Sequence, residues 1–176
     1  MTDPDLRSLI RDIPDFPAPG IVFKDITPLL LDHEAVRFAV KQLADWARPR
    51  QVDYVVAAEA RGFILGAALA LELDAGFVPA RKPGKLPADT VSAEYILEYG
   101  VDALEMHADA LADGARVLIH DDLLATGGTA RALAELVEGL GATVAGFAFL
   151  VELEFLEGRR RLEGYDVHAL VSYAAD

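Results

Sequence analysis

The chain has 176 residues, 53% of them hydrophobic and 26% charged, with a net charge of −13. This length and composition suit one globular domain with a sizeable core and exclude a disordered chain, and the acidic balance argues against a nucleic-acid or anionic-membrane surface, which needs Lys and Arg to neutralise phosphate. The absence of cysteine excludes disulfides and thiolate chemistry, no apolar run reaches the roughly 18 residues of a membrane span, and Met1-Thr2-Asp3-Pro4 lacks a signal-peptide layout, so a cytoplasmic location is expected.

In chain order, Asp3 to Asp12 predicts a short helix, and Pro14, Pro17, Pro19 and Gly20 then enforce an extended excursion, a candidate hood over about residues 14–28. Val36, Val40 and Leu43, with Ala39 and Ala47 beside them, give the stretch Glu34 to Trp46 one buried helical face. Val52 to Ala58 reads as a strand, Phe63 to Leu73 as a buried helix, and Gly76 to Ala80 as a second strand. Between the first strand and the helix lies Ala57-Ala58-Glu59-Ala60-Arg61-Gly62-Phe63. Arg61 has the planar fork of donors that matches phosphate, and Gly62 at a helix start leaves backbone N–H groups free for the same anion; taken alone, the segment is better read as a surface Arg paired with Glu59.

The chain has only four lysines, and two of them fall in Arg81-Lys82-Pro83-Gly84-Lys85, a local positive charge set against the global sign. It is either solvated charge or a place where Arg81, Lys82 and Lys85 meet a departing polyanion. The stretch from about 82 to 100 carries two prolines and two glycines without a clear period, and reads as a lid. A strand over Ala115 to His120, a helix over Thr129 to Leu140 ended by Gly141, and strands over Thr143 to Val151 and Asp166 to Tyr173 complete the crossover pattern of a parallel sheet. The expected fold is α/β: a single domain with a mostly parallel central sheet flanked by helices, plus the small hood and the flap.

The most informative run is Val117 to Thr129, where an apolar strand, the pair Asp121-Asp122 and the turn Ala125-Thr126-Gly127-Gly128-Thr129 follow one another. Gly127 and Gly128 let the backbone approach a ligand closely, the N–H groups of the turn and helix start point at an anion, and the Thr126 and Thr129 hydroxyls add donors. Two carboxylates would repel that anion, so they face the uncharged end of the same molecule and accept hydrogen bonds from sugar hydroxyls. An ordinary strand-turn-helix junction needs none of this coincidence.

This run resembles the phosphoribosyl pyrophosphate (PRPP) signature of type I phosphoribosyltransferases, and its fuller form, Asp121 to Thr129, resembles the adenine-specific branch. Four further segments are similar to motifs of that branch: Glu59-Ala60-Arg61-Gly62-Phe63, Arg81-Lys82-Pro83-Gly84-Lys85-Leu86-Pro87, Tyr95-Ile96-Leu97-Glu98-Tyr99-Gly100 and Pro19-Gly20-Ile21-Val22-Phe23-Lys24-Asp25. The resemblance runs from about Pro14 to Val151. It implies that Asp121, Asp122, Ala125, Thr126, Gly127, Gly128 and Thr129 hold ribose and 5′-phosphate, and that Glu59, Ala60, Arg61 and Gly62, through a strained or cis peptide, hold pyrophosphate together with Arg81, Lys82 and Lys85. Glu98 is implied as the catalytic residue, a carboxyl that manages a proton at a purine nitrogen beneath a closed lid, with Tyr95 and Tyr99 packing or positioning. Val22, Phe23 and Lys24 are implied to bind adenine, the ring stacking on Phe23 and the main chain reading its edge. Lys24 stands where the family has Arg, so a guanidinium stacking role would be lost there. His120 occupies a position where the family has an aliphatic residue and receives no catalytic role; His33, His107 and His168 read as incidental.

The implied reaction is adenine plus PRPP giving AMP and pyrophosphate. Mg²⁺ is implied as cofactor, held mainly by PRPP and reached by Asp121 and Asp122 through water, with no direct protein ligand assigned. A homodimer is implied, with the flap's basic residues supplied to the neighbouring subunit. Two rivals remain: a PRPP-sensing regulator that binds nucleic acid without turnover, against which the net charge counts, and a transferase for another purine.

Overall fold

The computed structural model describes residues 3–97 and 100–174. Its N-terminal segment opens with a 3-10 turn at Leu6–Leu9, started by the Asp5 carboxylate accepting from the Arg7 N–H at 3.1 Å, and then turns extended. The longer helix expected over Asp3 to Asp12 does not form, because β1 (Arg11–Pro14) pairs antiparallel with β2 (Val22–Asp25). That register brings Arg11 opposite Asp25, and their side chains pair at 2.6 Å. The proline-rich excursion is thus the turn of a hairpin, with Phe16 packed edge-on to Phe23 at 5.2 Å.

Helix α1 (Thr27–Leu31) leads into α2 (His33–Ala47), which begins where the Asp32 side chain accepts from Glu34 and Ala35 N–H and buries Ala35, Ala39, Val40, Leu43, Ala44 and Ala47 at helical spacing. Then come β3 (Tyr54–Ala58), α3 (Gly62–Glu72) and β4 (Gly76–Ala80). After β4 the chain forms a second antiparallel hairpin, β5 (Thr90–Leu97) with β6 (Gly100–His107), in register from Thr90↔His107 to Leu97↔Gly100. Regular strands therefore occupy much of the stretch that reads as a lid without period, and Val91, Ala93 and Tyr95, alternating with Thr90, Ser92 and Glu94, are the two-residue period that builds it.

Strand β7 (Arg116–Leu124), helix α4 (Gly128–Gly139), β8 (Thr143–Leu153) and β9 (Val167–Tyr173) complete the chain. The five-stranded sheet has the order β4-β3-β7-β8-β9 and is parallel throughout. Side chains alternate across it. Val55, Leu118 and Ala148 pack on α2 and α3, while Val56, Ile119, Phe147 and Phe149 pack on α4 and the β5–β6 hairpin. Strand β7 is longer than the expected Ala115 to His120, because its pairing with β8 continues to Leu124↔Glu152. Both aspartates therefore sit on a fixed strand, not on a loop. Among the described residues no helix is long and apolar enough to cross a membrane.

Candidate active site

The carboxyl ends of β3, β4 and β7 converge on one cleft of about 260 Å³, lined by Glu59, Ala60, Arg61, Lys82, Tyr95, Asp121, Asp122 and Thr129, with Ala58, Leu104 and Leu123 as its apolar wall. A smaller cavity of about 70 Å³ adjoins it, lined by Asp121, Leu123 to Ala130 and Phe149, so that the glycine turn and the start of α4 form its rim. Gly127 stands at φ +82, a left-handed conformation that favours glycine, and it brings the chain directly into α4. Four of the sequence segments read as chemical thus meet at one end of the sheet, by way of Arg61, Lys82, Tyr95 and Thr129.

The two aspartates are held differently. Asp122 has a side chain only 7% exposed and is met by Arg61 Nε at 2.9 Å. Asp121 lies against the start of α3, where Gly62 leaves room: a Cβ on that residue would stand 2.8 Å from Asp121 Oδ1. Burial and the adjacent Asp122 charge hold the Asp121 carboxyl well above the usual carboxylate range. Burial also raises Asp122, with the Arg61 guanidinium opposing it.

Two cations that stand at the end of β4 are drawn in by acids. Glu59 Oε1 accepts from the Lys82 N–H at 2.7 Å and from Arg81 Nε at 3.3 Å, and the Glu59–Ala60 peptide is cis. Lys82 Nζ donates to the Tyr95 hydroxyl at 2.9 Å and is paired with Asp102, the direct cross-strand partner of Tyr95. Burial alone would lower the Lys82 ammonium, but its bonds to Asp102 and Tyr95 outweigh that and leave it raised; the same Lys82 bond lowers Asp102. Asp102 was not legible as a site residue, because only the hairpin register brings it to Lys82. Lys85 and Arg81 do not line the cleft; Arg81 Nη1 instead donates to the Lys85 carbonyl at 3.3 Å. Glu98 and Tyr99 lie outside the described residues.

The hood meets the cleft where the Arg61 guanidinium lies over the Phe23 ring at 4.7 Å from its centroid. Val22 is exposed beside it. Lys24 is turned elsewhere: its ammonium pairs with Asp12 at 2.6 Å and lies over the Tyr173 ring at 3.9 Å, so its side chain is engaged with the last strand while its main chain stays in β2. His120 is fully buried in β7, with Nδ1 2.9 Å from the Ala148 carbonyl and Nε2 without a partner, and burial lowers its pKa to about 4. It is a neutral core imidazole, away from the cleft lining.

Among the described residues no group of three or more His, Asp or Glu side chains gathers as a ready-made metal site. Asp121 and Asp122 supply carboxylate oxygens of the kind a hard divalent cation accepts, with most of its coordination left to ligand oxygens and water. This donor set fits a metal that arrives with a polyphosphate.

The family model described as "Phosphoribosyl transferase domain" matches residues 29–170. An adenine phosphoribosyltransferase of Thermotoga maritima is 60% identical over 169 residues, covering 96% of this chain and 98% of the relative. The crystal structure of an adenine phosphoribosyltransferase from Thermoanaerobacter pseudethanolicus superposes with a TM-score of 0.94 at 55% identity, over 96% of this chain and 98% of that one. The enzyme of Saccharomyces cerevisiae, complexed with an imino-altritol 1,6-bisphosphate and adenine, gives a TM-score of 0.90 at 38% identity, over 94% and 96%.

Proposed function

The chain belongs to the adenine phosphoribosyltransferases of the phosphoribosyl transferase domain family, and from that membership we propose that it transfers the 5-phosphoribosyl group of PRPP to adenine, giving AMP and pyrophosphate. The observation that carries the proposal is the pair of adjoining cavities, sharing Asp121 and Thr129, that bring together a glycine turn opening a helix, a buried pair of aspartates and the Glu59–Arg61 loop.

The 5′-phosphate sits on the N–H groups of Thr126 to Thr129, Ala125 lines the approach, and Asp121 and Asp122 accept from the ribose diol. The pyrophosphate takes donors from Ala60, Arg61 and Gly62 and charge from Lys82, with Arg81 and Lys85 supplying more across a subunit boundary. As the bond from C1 to pyrophosphate breaks, negative charge grows on the leaving group, and fixed cations there favour the transition state over the ground state. N9 of adenine attacks C1 from the hood side, with the ring against Phe23 and Val22 and its edge read by the main chain near Lys24. Arg61 now covers Phe23; moving it onto pyrophosphate bares the ring face. Glu98 manages the proton of the purine. Mg²⁺ is the proposed cofactor, neutralising substrate oxygens, with Asp121 and Asp122 as the side chains that would reach its water shell.

A homodimer working in the cytoplasm completes the proposal. The exposed apolar residues Leu31 (83%) and Leu71 (81%) on the side of α1 and α3 support self-association, and light scattering tests it. The activity is tested by incubating the protein with adenine, PRPP and Mg²⁺ and identifying AMP and pyrophosphate by mass, with hypoxanthine and guanine as competitors. Absence of AMP, or equal use of all three bases, rejects this function. Glu98→Gln is expected to lower kcat more than it raises KM.

A further inference from the structure

We propose that Arg161, in the segment after β8, is a ligand of the 5′-phosphate of PRPP and AMP, an assignment that rests on the function proposed above. The cavity at the glycine turn is lined by Asp121, Leu123 to Ala130 and Phe149 and holds no Lys or Arg. A dianionic phosphate there would meet N–H groups, two hydroxyls and a carboxylate, yet no cation.

The 3-10 segment Gly158–Leu162 is seated directly on that turn. A Cβ on Gly158 would stand 2.3 Å from the Ala125 carbonyl oxygen, and a Cβ on Gly127 would stand 2.5 Å from the Gly158 carbonyl oxygen, so the two stretches of main chain touch at reciprocal glycines. The segment carries three successive arginines. Arg159 is committed to the buried Glu152, with Nε at 2.7 Å from Oε1 and Nη2 at 2.7 Å from Oε2, and Arg160 is paired with Glu157 at 2.7 Å. Arg161 has no carboxylate partner among the described residues, in a chain with 29 acidic against 16 basic side chains.

It stands beside the turn nonetheless: Cβ lies 3.3 Å from the position a Gly127 Cβ would take, and Nη1 lies 3.7 Å from that of Gly128, the first residue of α4. The N-terminal end of a helix is electropositive, so a guanidinium held against it is repelled until an anion comes between them. A phosphate on the glycine turn is such an anion, and it would be shared between helix N–H groups and the planar donors of Arg161.

The test compares Arg161→Gln and Arg161→Lys with the unaltered protein, measuring KM for PRPP and adenine, the calorimetric Kd of AMP at two salt concentrations, and Tm. Arg161→Gln is expected to raise the KM for PRPP and the Kd of AMP about tenfold, the size of a lost charge-assisted hydrogen bond, and to flatten the salt dependence. Arg161→Lys is expected to recover part of the loss, with the adenine KM and Tm unmoved, which a merely structural role would not spare. AMP and PRPP affinities within twofold of the unaltered protein, or losses shared equally by adenine and Tm, overturn the assignment while leaving the function standing. An unaltered protein that binds neither AMP nor PRPP sinks the function, and this assignment with it.

Discussion

Arg61, from the loop after β3, holds its Nε 2.9 Å from Oδ2 of Asp122 on β7, and so ties the segment read as the pyrophosphate loop to the acid pair read as the ribose site. One guanidinium thus sets the charge of both halves. Replacing it by alanine strands a carboxylate that is almost out of water, and removing one partner of a buried pair costs about 3 to 5 kcal/mol. Arg61 is itself 37% exposed, so solvent screening reduces that figure to about 1 to 2 kcal/mol. Arg61→Ala is expected to lose that much in urea unfolding and to raise the KM for PRPP at least tenfold, whereas Arg61→Lys keeps the charge and loses the fork. Unchanged PRPP affinity in both variants would refute the shared role.

The acid pair opposes folding at neutral pH. Asp121 is raised in the folded protein above its unfolded value near 3.9. The protonated form is therefore favoured, and the stability it brings is present at low pH and lost as pH rises through the folded pKa. Asp121→Asn should accordingly raise Tm at pH 7 to 8 by about 2 to 4 °C for each kcal/mol relieved, a gain that disappears near pH 4. Activity is expected to move the other way, with kcat/KM about a hundredfold lower from lost ribose bonds. Differential scanning calorimetry across pH, beside a steady-state assay, reads both.

His120 has the opposite sign. Its folded pKa of about 4 lies below the unfolded value near 6.5, so the neutral ring's contribution is intact above 6.5 and is lost as pH falls toward 4. At pH 5 that loss amounts to about 2 kcal/mol. His120→Val removes both the titration and the unpartnered Nε2. Its unfolding midpoint is expected to exceed that of the unaltered protein at pH 5 by more than at pH 7.5, with kcat nearly unchanged. A gain that is the same at both pH values would contradict this account.

Asp102 and Lys82 make a third test. The Lys82 ammonium, proposed above to serve the leaving group, is held by an acid on the hairpin opposite Tyr95. Asp102→Asn keeps the shape and removes the charge competing for Lys82, so the inhibition constant of pyrophosphate should fall several-fold. Lys82→Ala should raise it. Product-inhibition kinetics on both variants distinguish a counter-ion from a mere packing group.

The pair of the buried Glu152 with the half-exposed Arg159 braces the segment that carries Arg161. Glu152 is 4% exposed, so Arg159→Met leaves its carboxylate unpaired, at a cost of about 1 to 2 kcal/mol once the half-open Arg side is discounted. Thermal unfolding checks the stability, and a rise in the KM for PRPP checks that the brace reaches the glycine turn proposed to hold the phosphate.

The alternation of strand and helix, the bounds of β4 and, to within one residue at each end, of α3, and the glycine turn were legible in the sequence because they are local: hydrophobic period, strand length and the demand for positive φ at Gly127 are written in neighbouring residues. The candidate site was legible to the same extent, as short runs each carrying its own chemistry. What pairs with what was not. Lys24 turns to Asp12 and Tyr173, Lys82 to Asp102, and Gly158 to the glycine turn across more than 30 residues, because sheet order and hairpin register bring them together. The sequence by itself determined which groups the chain owns and where its backbone bends. Only the tertiary structure decided which charges are neutralised, which are buried, and that Arg161 stands beside a helix end with no acid among the described residues to answer it, since such facts are properties of distance through space.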